Sequence, residues 1–232
     1  MSELGHPPRP RVVALVPAFN EAATIARVVE SLTRLGTVSE VVVVTDGSTD
    51  RTAQEASAAG AWVWSAPRRM GKGRAVDAAL DWVGPADAFV LIDGDVGDTA
   101  AQAGPLLGEV LEGRLDLAVG RLPPLPGGGF GTVKRFSGWV IRTLTGFRAE
   151  EPLSGQRAVT SQALGACRPL AAGFGMETAM TIDAVRLGFR VGEIPVAMAH
   201  RPTGRSLKGF AHRGLQGMHI LRAVAPRALR LR

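Results

Sequence analysis

Apolar and polar positions along this chain fall into alternating blocks of two periods. Val12 to Val16 is a short apolar run closed by Pro17, the pattern of a strand buried on both faces. From Glu21 to Leu35 the period lengthens, and Ile25, Val28, Val29, Leu32 and Leu35 share one helical face. Val41 to Val44 repeats the strand pattern and stops at the turn formers Asp46-Gly47-Ser48. Asp50 is then placed to cap the next helix. Ala61 to Trp64 predicts a third strand. Arg74 to Val83 predicts a helix with Ala75, Ala78, Ala79 and Trp82 facing inward. Ala88 to Ile92 predicts a fourth buried strand ending at Asp93. A helix from about Thr99 to Leu111 and a strand from Leu115 to Val119 follow. Strands alternating with helices predict a single α/β domain, a Rossmann-like and mostly parallel sheet with helices on both faces.

The second half is less regular. Arg121 to Gly131 is rich in proline and glycine and too long for an ordinary turn, which suits a binding loop. Helices are predicted from Thr132 to Thr145 and from Glu177 to Leu187, the latter with Ala179, Ile182 and Val185 on one stripe. Val191 to Val196 reads as a strand. Phe210 to Val224 reads as a basic amphipathic helix, with Leu215, Met218 and Leu221 against Arg213 and Arg222. No internal repeat is present.

Composition narrows the class. The 232 residues are 46% hydrophobic and 21% charged, enough apolar material for a sizeable core and too much for global disorder. The one cysteine, Cys167, excludes a disulfide framework and a cysteine-based zinc site, and reads as a small buried apolar residue. No apolar run reaches the ~18 residues of a spanning helix. Residues 1–10 read as a disordered, proline-rich leader without a hydrophobic signal core, so a cytoplasmic protein is expected. Lys and Arg number 27 against 21 Asp and Glu, and the excess is local: no acid follows Glu193. A basic end suits phosphate groups, an anionic membrane surface or nucleic acid. With no tyrosine and 5% aromatic residues, no base-stacking platform is visible, which argues against nucleic acid.

Parallel sheets bind ligands at the carboxyl ends of their strands. Three polar clusters fall there: Asn20-Glu21, Asp46-Gly47-Ser48 and Asp93-Gly94-Asp95. Gly94 lets the chain turn so that Asp93 and Asp95 converge. Converging carboxylates are hard oxygen ligands for Mg²⁺ or Mn²⁺, ions that keep positions open for substrate phosphates. Met70-Gly71-Lys72-Gly73 departs from the Walker A pattern on both sides of its lysine, yet its glycines allow close approach to phosphate. The absence of GxGxxG after the first strand argues against a dinucleotide dehydrogenase.

Val16-Pro17-Ala18-Phe19-Asn20-Glu21, Asp46-Gly47-Ser48-Thr49-Asp50, Gly71-Lys72-Gly73 and Asp93-Gly94-Asp95, in this order, resemble family 2 glycosyltransferases of the GT-A fold. Glu151-Pro152-Leu153-Ser154-Gly155-Gln156-Arg157 resembles the Asp-Pro-x-Ser-Gly-Phe-Arg segment of dolichyl-phosphate mannosyltransferases, with Glu for Asp and Gln for Phe. Its Pro-Leu-x-Gly core is also similar to glucosyl-3-phosphoglycerate synthases. The resemblance implies a nucleotide-sugar-binding half over residues 11–120 and an acceptor-binding half over 121–204. Residues 205–232 form a basic amphipathic C-terminal segment.

The resemblance also implies roles. Pro17, Ala18, Phe19, Asn20 and Glu21 would hold the nucleoside. Asp46 and Ser48 would lie at the base, and Lys72 at the base or diphosphate. Asp93 and Gly94 would sit at the ribose or metal. Asp93, Asp95 and His200 would ligate Mg²⁺ or Mn²⁺. Glu177, opening its helix, is the candidate base for a hydroxyl acceptor, and is expected to be catalytic together with Asp95. Ser154, Gly155, Arg157 and Arg205 would bind an anionic acceptor. Polyprenyl phosphate comes first, because the C-terminal segment suits peripheral contact with an anionic bilayer at the inner face of the membrane. A small phosphorylated acid such as phosphoglycerate is the alternative. By analogy with the fold a homodimer is expected. Other classes left open are a nucleotidyltransferase, against which no glycine-rich loop with a trailing lysine follows Val16, and a catalytically inactive nucleotide- or nucleic-acid-binding protein.

Overall fold

The computed structural model describes residues 9–123, 131–198 and 220–228. Seven strands are present: β1 (Val12–Ala18), β2 (Glu40–Thr45), β3 (Trp62–Ser65), β4 (Ala88–Leu91), β5 (Leu117–Arg121), β6 (Arg157–Thr160) and β7 (Val191–Pro195). They form one sheet in the order β3-β2-β1-β4-β6-β5-β7. All neighbours are parallel except β6, which runs antiparallel to both β4 and β5. The α/β, mostly parallel sheet expected from the sequence is the one observed.

The helices are α1 (Ile25–Thr33), α2 (Thr52–Ala58), α3 (Lys72–Val83), α4 (Gly104–Leu111), α5 (Thr132–Thr145), α6 (Ser161–Ala166), α7 (Met176–Arg186) and α8 (residues 220–228). Side chains alternate across a strand, so consecutive strand residues feed two cores. Val12, Ala14 and Val16, with Val41, Val43 and Val90, pack against α1 and α4 on one face. Val13 and Leu15, with Val42, Val44, Phe89, Leu91 and Val159, pack against α3, α6 and α7 on the other. A third cluster joins Val140 and Ile141 of α5, Ile182 of α7, and Ile220 and Val224 of α8.

Several boundaries differ from the sequence reading. The helix expected from Thr99 begins as a 3-10 turn over Gly97–Ala103 and becomes α-helical only at Gly104. Pro105 has no N–H to donate to a preceding turn, so it sits where a helix starts. Strand β6 and helix α6 were not anticipated; β6 opens with a buried arginine, which breaks its apolar pattern. Trp82 does not face inward and is 52% exposed. The buried stripe of α3 is Ala75, Val76, Ala79 and Leu80, and Trp82 falls beside it on the last turn. Most of the helix predicted over Phe210 to Val224 lies outside the described residues. Where α8 is seen, Ile220, Ala223 and Val224 are its buried positions and Leu221 is exposed. Its apolar side therefore packs within the molecule, against α5 and α7. Among the described residues no helix is long and apolar enough to cross a membrane.

Candidate active site

The carboxyl ends of β1, β2 and β4 are adjacent in the sheet, and their exit turns are knitted together. Asn20 leaves β1 at φ +58°, a left-handed conformation that asparagine tolerates better than most residues. In this pose its backbone N–H donates to Ser48 Oγ (3.1 Å), and its Oδ1 accepts from the Thr49 N–H (2.9 Å). The next two N–H groups are also taken, Glu21 by Thr52 Oγ1 (2.8 Å) and Ala22 by Asp50 Oδ2 (3.2 Å). Asp50 also accepts from the Thr52 N–H (3.0 Å), but it does so from one residue outside the helix: the N-cap position of α2 is Arg51, which makes no side-chain cap bond. Gly94 N–H donates to Pro17 O (3.3 Å), and Thr24 Oγ1 donates to Gly94 O (2.7 Å). A Cβ at Gly94 would lie 3.1 Å from the Ala18 methyl, so the exits of β1 and β4 touch only because residue 94 has no side chain.

Asp46, at the exit of β2, is buried. Its two oxygens accept from the N–H groups of Met70 (2.6 Å) and Gly71 (2.8 Å). This carboxylate thus folds the glycine loop ahead of α3 over Gly47, where a Cβ would come within 2.9 Å of Arg69 N. Arg69 in turn lays its guanidinium 4.0 Å above the centre of the Phe19 ring, a cation–π contact at the rim of the β1 exit.

Holding that loop fixes Lys72. A cation in the first turn of a helix opposes the helix dipole, and here two carboxylates offset that cost. Lys72 Nζ lies 2.5 Å from Asp93 Oδ1 and 2.7 Å from Glu177 Oε1. Burial alone would lower the Lys72 pKa, but Asp93 and Glu177 outweigh it and hold the ammonium above the usual lysine range. Glu177 opens α7, where its charge suits the dipole, and its side chain is 6% exposed. In this arrangement Glu177 is the counter-ion of a protonated lysine.

The turn before β6 closes the cluster from the opposite side. Gly155 presses against Asp93 and Lys72 so closely that a Cβ would meet Lys72 Nζ at 2.6 Å and overlap the Asp93 carboxylate. Gln156 Oε1 accepts the Asp93 N–H (3.1 Å), and Gln156 Nε2 donates to Asp93 Oδ2 (2.9 Å). Arg157 corrects an expectation: it is fully buried and faces no surface that an acceptor could reach. Its Nε donates to Ser154 O (2.8 Å) and its Nη1 to Thr181 Oγ1 (3.0 Å). Burial lowers the pKa of its guanidinium, opposed by the charges of Glu177, Glu193 and Asp93. Arg157 braces the turn from below. Glu193 of β7 steadies the same segment, accepting from the N–H groups of Glu150 (3.0 Å) and Glu151 (2.9 Å).

Asp95 follows on the same exit and is half-buried. Asp93 turns its oxygens toward Lys72 and Gln156, and no group of three metal-ligating side chains gathers among the described residues. His200 and Arg205 lie outside the described residues.

The profile of the family described as glycosyl transferase family 2 matches residues 13–162, most of the chain. The chain belongs to that family. Glycosyltransferase AglJ of Haloferax volcanii is 30% identical over 197 residues, which is 83% of this chain and 64% of the relative. The chain thus spans a little under two thirds of that relative's length. Undecaprenyl-phosphate mannosyltransferase of Micrococcus luteus is 27% identical over 84% of this chain and 86% of its own length. Among solved structures, glucosyl-3-phosphoglycerate synthase of Mycobacterium tuberculosis, in complex with phosphoglyceric acid, superposes with a TM-score of 0.80 at 31% identity. That match covers 94% of this chain and 80% of the other. The same enzyme with Mn²⁺, UDP-glucose and phosphoglyceric acid matches at 0.78.

Of the residues singled out in the sequence, the structure brings Asp93, Lys72, Glu177 and Gly155 into direct contact, and Asn20 with Ser48 into another. Gln156 was noted only as a departure from a motif. A carboxamide where a related pattern has Phe was the signal, and its meaning required knowing that Asp93, 63 residues away, lies opposite.

Proposed function

We propose that this protein transfers a hexosyl group from a nucleotide-sugar to an acceptor bearing a phosphate. The observation that carries the reading is the Lys72–Asp93–Glu177 cluster beside the Asn20–Ser48 exit turns, in a chain of family 2. A nucleoside over the exits of β1 and β2 places its diphosphate toward β4. Asp95, half-buried on the exit of β4, would hold Mg²⁺ or Mn²⁺, ions that commonly take one or two carboxylates and complete their shell with substrate phosphate and water. One half-buried carboxylate at a strand exit fits that requirement. The bound ion would supply charge neutralisation at the departing diphosphate. Protonated Lys72 lies on the same side, an ammonium donor held in place by Asp93 and Glu177 before reaction. The tied turns hold the donor in one pose, which supports transfer by orientation.

For the acceptor we favour a small phosphorylated acid. A solved relative, the Mycobacterium tuberculosis synthase, holds phosphoglyceric acid. In addition, the described part of α8 buries Ile220 and Val224 against α5 and α7. A polyprenyl phosphate acceptor is the second reading, supported by the Micrococcus luteus mannosyltransferase, which aligns over 86% of its own length. The test is transfer of labelled hexose from UDP-glucose and GDP-mannose, with Mn²⁺, to 3-phosphoglycerate and to a polyprenyl phosphate in detergent. Transfer to the soluble acid, lost in Asp95→Ala, is expected. Transfer to the lipid alone would select the second reading, and no transfer to either would overturn both.

A further inference from the structure

Gln156 is 1% exposed, and both ends of its carboxamide are committed to one residue. Oε1 takes the Asp93 N–H and Nε2 gives to Asp93 Oδ2, at 3.1 and 2.9 Å. A carboxamide bound as acceptor at one end and donor at the other has a single orientation. Asp93 then has one as well, with Oδ2 toward Gln156 and Oδ1 toward Lys72. Gln156 is itself immobile. Its N–H reaches Ser154 Oγ (3.3 Å), and its carbonyl accepts from the Gly120 N–H (2.7 Å). Residue 120 is a glycine, and a Cβ there would stand 3.1 Å from Gln156 Cβ.

Position in the sheet says which part of a donor this arrangement serves. The strand order runs β2-β1-β4-β6. The Asn20, Ser48 and Asp46 turns lie over β1 and β2, while Asp93 and Gln156 lie over β4 and β6. A donor with its nucleoside on the first pair extends its far end across the second pair.

We propose that Gln156 is a positioning residue for the hexosyl half of the donor, acting through the carboxylate of Asp93. It touches no reacting atom. By fixing Asp93 it fixes which carboxylate edge a sugar hydroxyl meets, while Lys72 keeps its second anchor on Glu177. The inference rests on the donor site proposed above.

The experiment compares UDP with UDP-glucose, in Mn²⁺, on the full chain. Gln156→Leu removes both hydrogen bonds. Gln156→Glu keeps an acceptor for the Asp93 N–H but sets a carboxylate oxygen against Oδ2. By titration calorimetry, UDP affinity should stay within about twofold in both variants. Affinity for UDP-glucose, and kcat/KM, should fall about 10- to 100-fold, the range of one lost hydrogen bond to a charged group. An equal loss for UDP and UDP-glucose, or a lowered melting temperature in both variants with UDP binding gone, would assign Gln156 to the scaffold and overturn the proposal. Unchanged UDP-glucose affinity would overturn it too. Wild-type protein that binds neither ligand would instead sink the donor site itself.

Discussion

A methyl group at residue 155 would occupy the space now shared by the Asp93 carboxylate and the Lys72 ammonium. Gly155→Ala therefore has to displace an ion pair rather than a loose side chain. The expected result is a loss of about 1–3 kcal/mol in urea unfolding, with kcat/KM falling by more than tenfold. The same variant at Gly165, where nothing lies near the added Cβ and φ is not positive, is the control for adding a methyl group without a clash. Asp46 makes a second residue-scale case. It serves as acceptor for two backbone N–H groups, so Asp46→Ala leaves both without a partner. About 2–3 kcal/mol of stability should go, as expected for buried hydrogen bonds to a charge. UDP binding should weaken with it, because Lys72 follows directly on the released loop. The resemblance implies a base contact at Asp46; the structure shows how much of that carboxylate the backbone already uses. Such a commitment is invisible in sequence, because Met70 and Gly71 donate through backbone N–H groups that any residue but proline would carry there.

At the scale of elements, periodicity carried most of the fold. Buried parallel strands are nearly all apolar, and β1, β2 and β4 stood out for that reason. What escaped was β6, a strand of only four residues led by Arg157. A buried charge breaks the pattern that identifies a buried strand, and only the partners Ser154, Thr181 and the nearby acids make it tolerable. The far edge of the sheet depends on charge in another way. Asp116, just before β5, accepts from the Arg190 backbone and guanidinium just before β7, at 2.8 to 2.9 Å. The hydrogen bonds from Arg190 hold the Asp116 carboxyl below the ordinary aspartate value of 3.8. A lowered pKa in the folded state means stability present above the unfolded value and lost as pH falls through the folded one. Asp116→Asn should thus melt below wild type at pH 7. The gap should close in acid once the wild-type carboxyl is protonated, as thermal melts across that range would record.

For the whole molecule, the described part of the C-terminal region is an integral wall. Arg227 of α8 meets Asp183 of α7 through Nε at 2.7 and 2.9 Å, and Arg186 donates to the Arg227 carbonyl at 2.7 Å. Both side chains of the Arg227–Asp183 pair are mostly buried. Asp183→Ala strands a largely desolvated guanidinium, and a loss of about 2–3 kcal/mol is expected. Limited trypsin digestion should then cut near residue 222 first, whereas wild type should be protected there. The basic excess after Glu193 pointed outward, to membranes or phosphates. The sequence could not show that one of those arginines is spent inside, since Asp183 is 44 residues away.

The strand order has a consequence for biosynthesis. β5 pairs only with β6 and β7, both of which follow it in the chain. Until residue 160 has left the ribosome, β4 is an uncovered edge of four buried apolar residues, and β5 has no neighbour at all. Exposed apolar edges of that kind recruit other chains. A nascent chain paused between residues 121 and 157 is the stage at which this protein most needs a chaperone.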